Sequence, residues 1–291
     1  MEFKRILVAV NSPDGRDAAF ERGLALAKSA GAELYVLHAV PVNQLFSFRG
    51  ADRLERMADM RKRAEDAGVR VQTVEQHGDA AEIIELHANA RGVDLIVMGT
   101  EAPASWGHTR SAVAETVIHR TNVPTLVVAS DAADSASAFR NVLVAVDLSP
   151  DSRDLVRGAI ELTTPEAEQL TVMHTVKGLE AADAVQSPAR WRVPEFRRHV
   201  LDDARRTLEG LVAEVPARVN TRVHVSSGSA ARTILEHAAD VDADLVVVGR
   251  SRGFKLIGST ALRVLRKNDR ALLVIPSAAH DTSQVERQHA A

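Results

Sequence analysis

The chain has 291 residues, 45% of them apolar and 26% charged, with a net charge of -3. That length accommodates two domains of roughly 140 residues, each large enough to bury its own core. With 3% aromatic residues, no cysteine and a near-neutral balance, the composition excludes disulfides, thiol catalysis and cysteine-ligated zinc, and it offers neither the basic nor the stacking surface that nucleic acids need.

The amino-terminal MEFKRILVAVNS runs directly into a strand pattern with no small-residue cleavage site, so no signal peptide is expected. No apolar stretch approaches the ~18 residues of a membrane span. A cytoplasmic protein is the expectation, with no membrane and no nucleic acid among its partners. The first apolar run is Ile6–Val10, followed by Phe20, Leu24 and Ala27 at helical spacing and then by Leu34–Leu37. The basic Arg61-Lys62-Arg63 is followed by Glu65-Asp66 and reads as a solvated helix face. Asp79 with Glu82 resembles a capping box, opening a helix expected to bury Ile83, Ile84 and Leu86. Runs at Leu95–Met98 and Leu126–Val128 complete this part, and the small, polar Ser130–Ala138 reads as a linker. Beyond it come Val142–Val146, a helical face of Leu155, Val156, Ala159 and Ile160, then Leu170–Met173, Leu245–Val248 and Ala271–Ile275. Asp281–Ala291 has little to bury and reads as a frayed tail. Runs that are continuous rather than alternating suit strands covered on both faces in a parallel sheet.

These elements state one pattern twice. Phe3–Asn11 (FKRILVAVN) matches Phe139–Asp147 (FRNVLVAVD), and Leu34–Val40 matches Leu170–Val176, both at an offset of 136. Gly78–Glu85 matches Gly228–Leu235, and Asp94–Gly99 matches Asp244–Gly249, at an offset of 150. A period this long is a duplicated domain. The fold class predicted is α/β: two tandem doubly wound domains, 1–132 and 139–279, each a five-stranded, mostly parallel sheet flanked by helices. The change of offset puts 14 extra residues between the second and third strands of the later copy. Lys177–Pro194, containing Pro188 and Arg190-Trp191-Arg192, is where they are expected, as a loop on its own domain or as a ligand lid.

In an open parallel sheet, ligands meet the carboxyl ends of the strands. Those ends are Asn11, His38-Ala39 and Gly99-Thr100 in the first copy, and Asp147, His174-Thr175 and Gly249-Arg250-Ser251 in the second. Here VLVAVDLSPDS, LTVMHTV, the glycine after DLVVV, Gly258-Ser259-Thr260 and ALLVIP resemble the universal stress protein family, nearly end to end and twice over. The resemblance implies domains of the adenine-nucleotide alpha-hydrolase-like type, in a family with one ATP-binding branch and one that does not bind it. The ATP-binding branch carries G-x2-G-x9-G-S/T after the fourth strand, where glycines let backbone amides approach phosphates beside a helix amino terminus. Carried over by position, the nucleotide-binding residues are Asp147, Thr175, Gly249, Gly258, Ser259 and Thr260.

The sequence departs from that motif. Only eight residues (RSRGFKLI) separate Gly249 from Gly258, and Gly253 is displaced. Arg250, Arg252 and Lys255 add positive charge, read either as phosphate contacts or as ordinary solvated cations. In the first copy Asn11 replaces the aspartate, TEAPASWGHTR replaces the glycine-rich loop, and Ser111-Ala112 stands where the second has Gly258-Ser259. The resemblance therefore implies adenine nucleotide (ATP, with accompanying Mg) in the second domain alone, with slow ATP hydrolysis as the most that could follow and no catalytic residue assigned. The alternative is a scaffold or small-molecule-binding protein with degenerate nucleotide sites. The partners implied are a small-molecule ligand or a regulatory protein. The family also implies pairing through the terminal strands, Thr125–Ala129 with Leu272–Ile275, about a pseudo-twofold axis. That makes the chain an intramolecular pseudo-dimer, compatible with a monomer or a homodimer.

No G-x-S-x-G elbow, P-loop or full GxGxxG turn is present. Asp147, Ser149 and Asp151 read as a helix cap rather than acid–base groups, and Ser226-Ser227-Gly228-Ser229 as a turn and cap. His38 and His174 occupy equivalent strand ends, and His87 and His237 equivalent helix positions, which points to framework roles. No HxH, HxxxH or HExxH spacing accompanies them, so no metal is expected.

Overall fold

The computed structural model describes residues 3–10, 17–41, 50–100, 112–129, 138–163, 167–179, 193–213, 219–250 and 259–277. The first half runs β1 (Arg5–Val10), α1 (Ala18–Ala30), β2 (Glu33–Val40), α2 (Gly50–Asp66), β3 (Val71–His77), α3 (Ala80–Arg91), β4 (Leu95–Gly99), α4 (Ala112–Arg120) and β5 (Thr125–Val128). The second runs β6 (Asn141–Val146), α5 (Ser152–Thr163), β7 (Gln169–Val176), α6 (Val193–Ala213), β8 (Asn220–Ser227), α7 (Ala230–Asp240), β9 (Leu245–Arg250), α8 (Ser259–Lys267) and β10 (Ala271–Pro276).

All these strands join one sheet in the order β3-β2-β1-β4-β5-β10-β9-β6-β7-β8. Every neighbouring pair is parallel except β5 and β10, which run antiparallel with Leu126 opposite Leu273. Val128 pairs with Gly99 and Ile275 with Gly249, so Leu126 and Leu273 are themselves equivalent positions of the two halves. The pseudo-twofold axis therefore passes through that pair. Each half covers an edge that the other would leave open.

Both faces of the sheet are buried. Helices α1, α2, α5 and α6 cover the face carrying Val8, Val36, Val144 and Val172, while α3, α4, α7 and α8 cover Leu7, Leu37, Leu143 and Met173. Successive residues of one strand thus enter different cores, which is why the apolar runs are continuous. Strand ends are tied by two equivalent carboxylates. Asp94 accepts from the amides of Lys4 and Arg5, and Asp244 from those of Arg140 and Asn141. Burial raises the Asp244 pKa despite those amides and the nearby Arg22.

Asp79 caps α3 through the Glu82 amide at 3.0 Å, and Gly92 ends that helix in the left-handed conformation. Ile83 and Ile84 are buried, but Leu86 is 58% exposed, contrary to the expectation from sequence. At 100° per residue Leu86 lies about 200° round the helix from Ile84, on the solvent side. Helix α6 has 21 residues against 17 in α2, so part of the added length is helix. Arg190-Trp191-Arg192, the linker up to residue 137 and Asp281–Ala291 lie outside the described residues. Among the described residues no helix is long and apolar enough to cross a membrane.

Candidate functional site

Strands β6, β7 and β9 end around a cleft of about 890 Å³. Asp147, directly after β6, accepts from the Ser149 amide at 3.0 Å and from the Ser152 hydroxyl at 3.3 Å, both through Oδ1. The turn in which the Ser149 amide meets this carboxylate carries Leu148 at φ 62, a costly value for a residue with a side chain, and Asp147 lines the cleft. Burial pushes the Asp147 carboxyl up, but the hydroxyl and amide of Ser149 and the hydroxyl of Ser152 outweigh it and hold the pKa below the ordinary carboxylate value. Its stabilising contribution is thus complete above about pH 3.9, the unfolded value, and lost as pH falls through the folded one.

The other predicted residues divide into those the cleft gathers and those it does not. Thr175 lines it from β7, with a hydroxyl turned to Thr233 at 2.8 Å and Ser226 at 3.3 Å. Gly249 lines it from the exposed end of β9, and Thr260 from the first turn of α8. Ser259 opens α8, with its side chain outside the description; Gly258 lies outside the described residues, as do Gly253, Arg252 and Lys255. Four of the six residues therefore share one cavity.

Arg250 differs from its reading as a phosphate contact. It is buried, and its guanidinium donates to Thr121 O at 2.8 Å and to His119 O and Asn122 Oδ1 at 3.3 Å. The two main-chain carbonyls stand at the carboxyl end of α4, whose orphan acceptors and negative dipole end favour a cation, and the third acceptor is the side-chain amide of Asn122. Asn122 and Pro124 of the first half also line the cleft. The sequence could not point to them, because they reach it only through the pairing of β5 with β10.

The wall is mixed in charge: Asp147, Asp151 and Asp154 face Arg157 and Lys177. His174 lines it too, donating from Nδ1 to Val146 O at 2.9 Å. In the first half His38 lies 3.3 Å from Glu75, and His87 is bonded to Gln76 at 2.6 Å and to Arg91. His237 stacks on His224. Among the described residues no group of three or more His, Cys, Asp or Glu is placed to hold a metal ion.

The family model "Universal stress protein family" matches residues 2–129 and again 138–276. The chain belongs to the universal stress protein family. It is 24% identical over 141 residues to universal stress protein A of Photorhabdus laumondii, covering 48% of this chain and 96% of that protein. A solved structure of a universal stress protein from Archaeoglobus fulgidus DSM 4304 matches with a TM-score of 0.65 at 18% identity, covering 94% of this chain and 97% of that one. A Pseudomonas aeruginosa UCBPP-PA14 protein bearing the universal stress protein name matches with a TM-score of 0.71 at 18% identity, over 99% and 98% of the two chains. At those identities the structural likeness establishes the tandem fold alone. The family that the chain belongs to is generally non-catalytic, and its general role is stress response through ligand binding.

Proposed function

We propose that the second domain of this universal stress protein binds an adenine nucleotide in the cleft beside Asp147, as a ligand sensor without rapid turnover. The observation that carries this is the convergence of Asp147, Thr175, Gly249 and Thr260, from four different elements, on one cavity. Its volume of about 890 Å³ lies within the range of small-molecule sites. The bonds to Asp147 from the Ser149 amide and the Ser152 hydroxyl fall on Oδ1, and the carboxylate accepts from ribose hydroxyls on its Oδ2 side. The backbone beyond Thr175 meets the base, and the amino end of α8, with Thr260, takes phosphate. Gly258 and Ser259 belong to that same phosphate end by position.

Three aspartates against Arg157 and Lys177 oppose each added phosphate, and Arg250 is committed elsewhere. A triphosphate therefore enters with Mg as its counter-charge. The domains are 1–132 and 139–279, the setting is the cytoplasm, and the tandem acts as its own dimer, with or without a second copy.

Calorimetric titration tests this. Mg-ATP should bind the wild-type chain, and both Asp147→Ala and Asp147→Asn should weaken it at least tenfold, as expected for a lost hydrogen bond to a charged acceptor. Asp147→Asn retains an acceptor for Ser149 and Ser152, so its loss of binding cannot be assigned to a collapsed turn. No saturation at millimolar Mg-ATP would overturn the reading. The same acidic wall favours a second reading, a non-nucleotide small molecule or regulatory partner, and adenosine and ATP both failing to bind would select it.

A further inference from the structure

The cleft of the second half borrows a wall from the first. Asn122 and Pro124, in the turn between α4 and β5, face it beside Pro276 and Ser277 at the end of β10. Two arginines fasten this seam. Arg250, 8% exposed, leaves β9 one residue after Gly249 and caps the carboxyl end of α4. Arg266 of α8 forms a fork with Glu115 of α4, at 2.7 and 2.9 Å. Two of the four elements that carry predicted ligand residues, the end of β9 and helix α8, are thereby held against helix α4 of the other half.

The arrangement is one-sided. The pseudo-twofold maps Arg250 onto Thr100, Asn122 onto Asp269, Arg266 onto His119 and Glu115 onto Leu262. Threonine has no guanidinium to span the seam, leucine cannot pair with histidine, and Asp269 is paired with its neighbour Arg270 at 2.6 Å. The seam device belongs to the cleft of the second half only.

Its chemistry fixes the orientation of Asn122. A guanidinium can only donate, so the amide must turn its oxygen towards Arg250 and keep its NH2 group for another partner. Among the described residues that NH2 group has none. We propose that the cleft is a composite site, in which Asn122 of the first half presents its amide NH2 to a hydrogen-bond acceptor on the ligand and Arg250 positions it. For an adenine nucleotide that acceptor is a phosphoryl oxygen or a ring nitrogen. The choice of probe rests on the nucleotide reading; the seam itself does not.

The full chain is compared with Asn122→Asp, Asn122→Leu and Arg250→Ala, by Mg-ATP calorimetry and by amide hydrogen exchange of the ligand-free α4–β5 corner. Asn122→Asp keeps an acceptor for Arg250 but removes the donor. It should leave exchange at the corner unchanged or slower while weakening Mg-ATP roughly tenfold. Asn122→Leu should weaken binding as much, and Arg250→Ala should both speed exchange around Thr121 and weaken binding. Wild-type affinity in Asn122→Asp overturns the composite site, and unchanged exchange in Arg250→Ala overturns the positioning role. If the wild-type chain binds neither ATP nor adenosine, the nucleotide reading fails by itself. In that event faster exchange in Arg250→Ala still upholds the positioning role, and unchanged exchange still overturns it.

Discussion

At the carboxyl end of β2 the first half gathers charge. His38, 6% exposed, has Nδ1 3.3 Å from Glu75, and Arg53 of α2 lies 3.6 Å from the same carboxylate oxygen. At the equivalent end of β7, the strand position opposite His174 is Val225, where the first half has Glu75 opposite His38. Without a carboxylate there, His174 donates to Val146 O instead, and the cleft runs past it. One register position on the neighbouring strand thus separates a strand end cross-linked by charge from one that borders a cavity. The framework is common to both halves, and the polar residues set upon it assign different tasks.

The largest expected effect tests the charged end. Glu75→Ala leaves a buried imidazole and a buried guanidinium without their shared carboxylate. Breaking a buried pair costs roughly 3–5 kcal/mol, and the partial exposure of Glu75 brings the expectation to about 2–3 kcal/mol in urea unfolding. A loss below about 0.5 kcal/mol would mean that the cluster does not hold this end together. Next in size is a packing difference on the same face. A Cβ at Gly23 of α1 would sit 2.1 Å from Val8 Cγ2, whereas the second half carries the buried Ala159 at the matching place in α5. Helix α1 therefore lies against β1 with no space for a methyl group. Gly23→Ala should cost about 1–2 kcal/mol by overpacking, although alanine is the better helix former. Stabilisation by this change would show that the close approach is not needed.

What the sequence disclosed follows from the same physics. Strands buried on both faces announce themselves as unbroken apolar runs, and those were legible in both halves. Strands β3 and β8 were not, because QTVEQH and TRVHVSS sit at the sheet edges, where half-exposed positions accept polar residues. The strand-end rule pointed to Asp147, Thr175 and Gly249, and the family motif to Thr260, all of which line the cleft. It could not find Asn122, which meets Arg250 across 128 residues of chain, nor the left-handed Leu148 in the turn after Asp147. Neither reading of Arg250, as a phosphate contact or as a solvated cation, anticipates its place, for a related reason: the helix end that it caps belongs to the other half of the chain.

The smallest expected effect concerns two histidines. His87 and His237 are equivalent, yet His87 bonds Gln76, while His237 stacks on His224 with ring centroids 3.8 Å apart and planes 17° from parallel. The first half has Val74 where the second has His224. Burial lowers the pKa of both stacked rings; for His224 the charge of His237 and of Arg205 on α6 lowers it further, against the opposing pull of Asp240 on α7. A lowered folded value means that the unfolded chain takes up protons first. The contribution is complete above the unfolded value of about 6.5 and is lost as pH falls from there through the folded value. His224→Val should remove part of this acid sensitivity, so that its melting temperature falls less than that of the wild type between about pH 7 and 5, by roughly 2 °C. His87, whose pKa burial also lowers, leaves a common background in both proteins. Parallel melting curves across that window would show that the stacked pair carries no proton-linked stability, and that the exchange of valine for histidine between the halves is a packing difference alone.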